Sequence, residues 1–132
     1  YMFEIEEQKI IKTPYAQISY RKDGIIHIHY SDHFFNLNDT KALFKTIREN
    51  SPWEISPIYL SGGSFMNQDS ESKKFNGSEE VIKHCSAIAM LVDSLGQKIL
   101  ANFFIKTIRP NTPTRFFTDE ESAIKWLKEF IS

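Results

Sequence analysis

The sequence predicts an α/β fold: a mixed β-sheet opened by an antiparallel hairpin, with helices packed on it. Three observations carry this. Two stretches of period-two alternation flank Asp23-Gly24, and a short, almost wholly apolar run spans Ala87 to Val92. The intervening segments show helical spacing with one wide apolar stripe each, and such stripes need a sheet to cover.

Residues 1–12 alternate loosely through Phe3 and Ile5 and read as a strand or extended arm. In "YAQISYRKDGIIHIHY", Ala16, Ile18 and Tyr20 share one face, as do Ile26, Ile28 and Tyr30. Asp-Gly between two such runs is the strongest short hairpin signal. Asn38 can cap a helix whose stripe is Leu43, Phe44 and Ile47, and Asn50-Ser51-Pro52 stops it. A short strand follows through Ile58, Tyr59 and Leu60, with Pro57 tolerable only at its start or on an edge. Asp69 caps a polar helix over 70–75 that Asn76-Gly77 ends, and Ser78 caps a second one containing Val81 and Ile82.

The unalternating run Ala87–Val92 fits a central strand covered on both faces. Ser94 and Gln97 form a capping box for a helix carrying Leu95, Ile99, Leu100, Phe103, Phe104 and Ile108. Thr114–Phe117 is a brief strand. Thr118 and Glu121 form a second capping box, opening a helix with the stripe Ala123, Ile124, Leu127, Phe130 and Ile131, flanked by Trp126.

At 132 residues, 41% of them hydrophobic and eleven of them Phe, the chain can bury a continuous core as one domain spanning 1–132. Sixteen basic against seventeen acidic residues leave a net charge of −1 without a basic run, which argues against nucleic acid as a partner. The single cysteine, Cys85, rules out an internal disulfide and reads as a small buried hydrophobe. No apolar stretch approaches the roughly 20 residues that span a bilayer. Acidic residues stand at the start, where a signal peptide would carry bases, so the expected location is cytoplasmic.

Motifs for catalysis are missing. Gly62-Gly63-Ser64 lies between strand and helix, yet it has neither the P-loop lysine nor the G-x-G-x-x-G pattern, so a tight turn is the preferred reading. His27 and His29, two apart on a strand, point the same way, and His33 is near in sequence. Without a third ligand or partner carboxylates they read as solvent-facing or interface histidines, and neither metal nor cofactor is expected. His84 and Cys85, as neighbours, should point apart, which argues against a Cys-His pair. Phe34-Phe35 lies in a loop, as a lid over the core or as an exposed contact.

The order hairpin, helix, strand, helix, strand, helix, strand, helix resembles the STAS fold, also called SpoIIAA-like, of sulphate transporters and anti-sigma-factor antagonists. "LSGGSFMNQDS" looks like that family's strand-to-helix segment, where Phe-Met-Asp precedes two hydroxyl residues, one phosphorylated by a partner kinase. "RFFTDEESAIKWL" resembles its closing strand and helix, and with "AIAMLVDS" the chain is similar to small Bacteroidetes proteins grouped as STAS-like. Here Asn67 stands in the aspartate position, and Gln68 and Asp69 stand in the hydroxyl positions, leaving Ser64 or Ser70 as phosphorylation sites.

The resemblance implies a non-enzymatic regulatory domain that docks another protein, such as an anti-sigma-factor or kinase-like regulator. The surface expected to do so comprises Ser61, Gly62, Gly63, Ser64, Phe65, Met66, Asn67, Asp69 and Ser70. An uncovered sheet face would also allow a homodimer. The rival reading is a carrier of an apolar or lipid-like ligand with a CRAL-TRIO-like pocket. A third, a small enzyme using His27, His29 or His33, would require a stoichiometric metal.

Overall fold

A computed structural model describes residues 8–62, 67–95, 97–99, 101–102 and 111–131. Among the described residues six strands form one sheet whose spatial order is the order of the chain, β1-β2-β3-β4-β5-β6. These are β1 (Lys9–Lys12), β2 (Ala16–Tyr20), β3 (Ile26–Tyr30), β4 (Ser56–Gly62), β5 (Cys85–Leu91) and β6 (Thr114–Phe117). The first three pair antiparallel, and β3 through β6 run parallel. This is the mixed, hairpin-opened α/β sheet that the sequence predicts.

The hairpin joins Tyr20 to Ile26 across a loop in which Gly24 has φ +93°. The Asp23 carboxylate fixes that loop, accepting from the Ile25 N–H and from the Arg21 guanidinium. The ambiguous start of the chain resolves in part: Lys9–Lys12 is a strand, on the outer edge of the sheet. Phe3 and Ile5 lie outside the described residues.

Helix α1 (Leu37–Asn50) starts two residues earlier than the sequence suggests. Its cap is Asn36 rather than Asn38, in a full capping box with Asp39. Phe35 sets this boundary, because its backbone is tied in extended form to Gln68 and the helix can begin only beyond it. Helices α2 (Ser70–Asn76) and α3 (Glu79–Ile82) follow β4, with Asp69 capping α2 through the Ser72 N–H.

Residues 95, 97–99 and 101–102 are helical, whereas Phe103, Phe104 and Ile108 lie outside the described residues. The last helix, α4 (Glu120–Leu127), is capped by Asp119 and not by Thr118. Asp119 accepts from the Ser122 N–H at 2.8 Å, while Thr118 is still leaving the strand. A 3-10 turn over Lys128–Phe130 continues α4, so the apolar stripe expected as one helix changes pitch before Phe130.

Strand β4 is longer than the predicted core of Ile58–Leu60 and lies in the middle of the sheet. Pro57 is accommodated at its start, where the register with β5 shifts between Ser56 and Pro57. A missing N–H does least harm at such an irregularity. Strand β5 likewise starts earlier than expected, at Cys85.

Apolar residues lie on both sheet faces. Under α1 sit Ile18, Tyr20, Ile26, Ile28 and Ile58 with Leu43, Phe35 and Trp53. Tyr20 Oη donates to the Ile47 carbonyl at 2.6 Å, pinning the helix end to β2, and burial pushes its pKa up to about 12. Under α4 sit Tyr59, Ala87, Ala89 and Phe117 with Ala123, Ile124 and Leu127. The small Ala87 and Ala89 leave room for α4 to settle close on β5, and enclosing Leu127 contributes about 2 kcal/mol.

Candidate functional site

The segment after β4 is built from the strand end outward. Gly62 pairs with Tyr30 and has φ +94°, a backbone that residues with a Cβ rarely adopt. A Cβ there would collide with the Tyr30 backbone, its carbonyl oxygen first. The glycine therefore serves both a turn and a close approach between strands. Gly63, Ser64, Phe65 and Met66 lie outside the described residues.

Beyond them the chain is clasped by Phe35. Its N–H donates to the Asn67 carbonyl at 2.9 Å, and the Asp69 N–H donates back to the Phe35 carbonyl at 3.0 Å. Phe34 and Phe35 thus part ways: Phe35 is buried, and Phe34 is 55% exposed. Asn67 and Ser70 face solvent, whereas Asp69 is occupied with capping α2. Below them Thr40 Oγ1 donates to Ser72 Oγ at 2.8 Å, and both residues are buried.

Ser61 belongs elsewhere. It is buried in β4, and two histidine nitrogens converge on its hydroxyl: His27 Nε2 at 2.7 Å and His29 Nδ1 at 2.9 Å. His29 is exposed, as expected, but His27 is half-buried against the Tyr59 ring. Burial lowers the His27 pKa; Glu120 opposes this more weakly. The third histidine does not join them, because His33 lies 2.9 Å from the Asp39 carboxylate and stacks on Tyr15. Among the described residues no three of His, Cys, Asp and Glu gather as a metal site would need.

On the α1 side of the sheet lies a cavity of about 310 Å³. Ile26 and Ile28 of β3, Ile58 and Leu60 of β4, and Ile88 and Met90 of β5 form its floor. Leu43, Phe44 and Ile47 of α1 roof it, and Gln68, Asn76 and Gly77 close one end beside the segment described above. Arg48, His84 and Cys85 also line it. His84 and Cys85 do not point apart: both reach the cavity because His84 sits in the turn before β5. Burial pushes the Cys85 thiol up to about 11, so it stays protonated and is a poor nucleophile.

Sequence reasoning offered an apolar pocket as its rival reading without placing it under α1, and it missed Thr40 and Arg48. The available signal was spacing. Thr40 and Arg48 fall at i−4 and i+4 from Phe44, on the stripe otherwise read as purely apolar.

No helix among the described residues is long and apolar enough to cross a membrane. A family model described as a domain of unknown function, DUF7793, matches residues 18–131. No curated protein matches the chain in sequence. Among solved structures it is similar to an uncharacterised protein of the DUF3478 family from Shewanella loihica PV-4, which has a SpoIIAA-like fold. That similarity has a TM-score of 0.51 at 13% identity and covers 92% of each chain, so it speaks to fold alone.

Proposed function

We propose that this chain, which belongs to the DUF7793 domain family and has a SpoIIAA-like fold, is a non-enzymatic carrier of a small apolar ligand. The cavity between α1 and the sheet is the observation that carries this reading. The hollow is partly open to solvent, and at about 310 Å³ its walls of Ile, Leu, Phe and Met offer a concave apolar surface for a ligand to cover. It matches the lower range of ligand pockets, which are mostly apolar with a few polar groups that fix orientation.

Native mass spectrometry of protein purified without detergent tests the reading. An added mass is expected that is lost on organic extraction and absent from an Ile88→Trp variant, whose indole would fill the cavity. Apo protein that also fails to take up added acyl ligands would overturn it.

A second reading, docking of another protein at the cavity rim, draws on the exposed Phe34 beside Asn67 and Ser70. A phosphate on Ser70 would add nearly two negative charges to that rim and change what binds there, and Ser64, outside the described residues, is the other phosphorylation site the resemblance implies. The partner of such a surface would be an anti-sigma-factor or kinase-like regulator. Phe34→Asp and Ser70→Glu should each remove the same protein from a native-lysate pull-down. Identical partner sets for all variants would end this reading.

A further inference from the structure

The polar groups of the cavity are placed unevenly. Thr40, Leu43, Phe44, Ile47 and Arg48 share one face of α1, and all five line the cavity. Among the lining residues only Arg48 carries a fixed charge, and it stands at the end where β5 begins, beside His84 and Cys85. Its side chain is 19% exposed. A guanidinium remains charged even when so sheltered, and it offers five N–H donors.

Few of those donors are used. Nη2 reaches the carbonyls of Trp53 and Glu54 at 3.3 and 3.4 Å, both long contacts. The Glu54 carboxylate stands 3.9 Å away and is 82% exposed, so water screens that pair and it contributes little. Among the described residues Nε and Nη1 have no hydrogen-bond partner. An apolar hollow with a sheltered, underused cation at one end suits a molecule with a long tail and an anionic head.

We infer that the cavity binds a single-chain fatty carboxylate, its head on Arg48 and its tail running along β5 toward Met90. This rests on the carrier reading above. From Cys85 to Met90 the strand covers roughly 16 Å, at about 3.3 Å per residue, which gives the tail its track. The head is a carboxylate rather than a phosphate because one guanidinium balances one charge. A phosphate monoester carries nearly two, and no second fixed cation lines the cavity. The planar fork also matches a carboxylate with two parallel hydrogen bonds.

Trp53, buried and joined to Arg48 through its carbonyl, provides a fluorescence signal at the proposed head end. Titrations with dodecanoate and 1-dodecanol compare the same tail with and without the charge. Dodecanoate should bind about tenfold tighter or more. Arg48→Gln should bring the acid down to the level of the alcohol and leave the alcohol unchanged, while Arg48→Lys keeps part of the preference. Glu54→Gln, which removes only the screened, exposed carboxylate, should leave dodecanoate affinity within about twofold.

Equal affinity of acid and alcohol in the unaltered protein would overturn the head-group assignment while the carrier reading stands. Tighter binding of dodecyl phosphate than of dodecanoate would overturn the choice of carboxylate. Failure of all three to bind would overturn both readings.

Discussion

His27 Nε2 lies 2.7 Å from Ser61 Oγ, and His29 Nδ1, two residues further along the same face of β3, lies 2.9 Å from the same oxygen. The more enclosed ring, His27, has its pKa lowered from 6.5, chiefly by burial. Below pH 6.5 the unfolded chain therefore takes up a proton more readily than the folded one, and stability falls as pH drops toward the folded pKa. Urea midpoints should be flat above pH 7 and decline between pH 6.5 and the lowered value, and His27→Gln should flatten that decline. Asp39 and Asp119, whose pKa values are depressed by His33 and by the Ser122 N–H, act only in the more acidic range below 3.8. An unchanged midpoint from pH 7.5 to 5 would mean that His27 charges freely in place.

Gly62→Ala should destabilise the protein by roughly 2 kcal/mol or more, because strain at positive φ adds to contact with the Tyr30 backbone. The displaced atoms belong to a paired strand, so relief requires breaking the β3–β4 ladder. Equilibrium urea unfolding measures it. A loss below about 0.5 kcal/mol, the range of ordinary surface changes, would show that the strand end yields easily.

The hydroxyl pair Thr40–Ser72 joins α1 to α2 where neither group meets water. Ser72→Ala, which takes away the acceptor of the buried Thr40 hydroxyl, should cost about 1–3 kcal/mol, and Thr40→Val should cost less, because Ser72 Oγ still donates to the Phe35 carbonyl at 3.4 Å. The double variant should cost less than the sum, with a coupling energy of about 1 kcal/mol. Additive losses would separate the two helices energetically.

Asp119→Ala should lower the thermal midpoint through loss of the α4 cap, whereas Thr118→Ala should change it very little. Thermal unfolding of the two variants side by side distinguishes them. The reverse order would place the working cap at Thr118.

The residues that made the fold legible are those whose signals are local. Asp23-Gly24 with its flanking alternation announced a hairpin, and the Ala87–Val92 run announced an inner strand. Cap positions slipped because Asn36 and Asn38, or Thr118 and Asp119, are chemically near-equivalent. Only the tertiary bond from Phe35 to the 67–69 segment decides where α1 begins. The segment Asn67–Ser70 was legible as a strand-to-helix link. Ser61 was read with it, yet it faces the histidines, because alternation along β4 turns it away from the cavity while Leu60 lines it. Arg48 was hidden for a related reason: a cation on a helical stripe looks like a solvated residue until the sheet opposite it is known.

Because each strand is laid beside the one synthesised just before it, the sheet can grow in one direction from the hairpin outward. Among the described residues no strand has to hold a place open for a later arrival. A ribosome emitting this chain would expose, at any moment, a single growing flank awaiting the next segment, which shortens the time an unpaired backbone spends available to other nascent polypeptides.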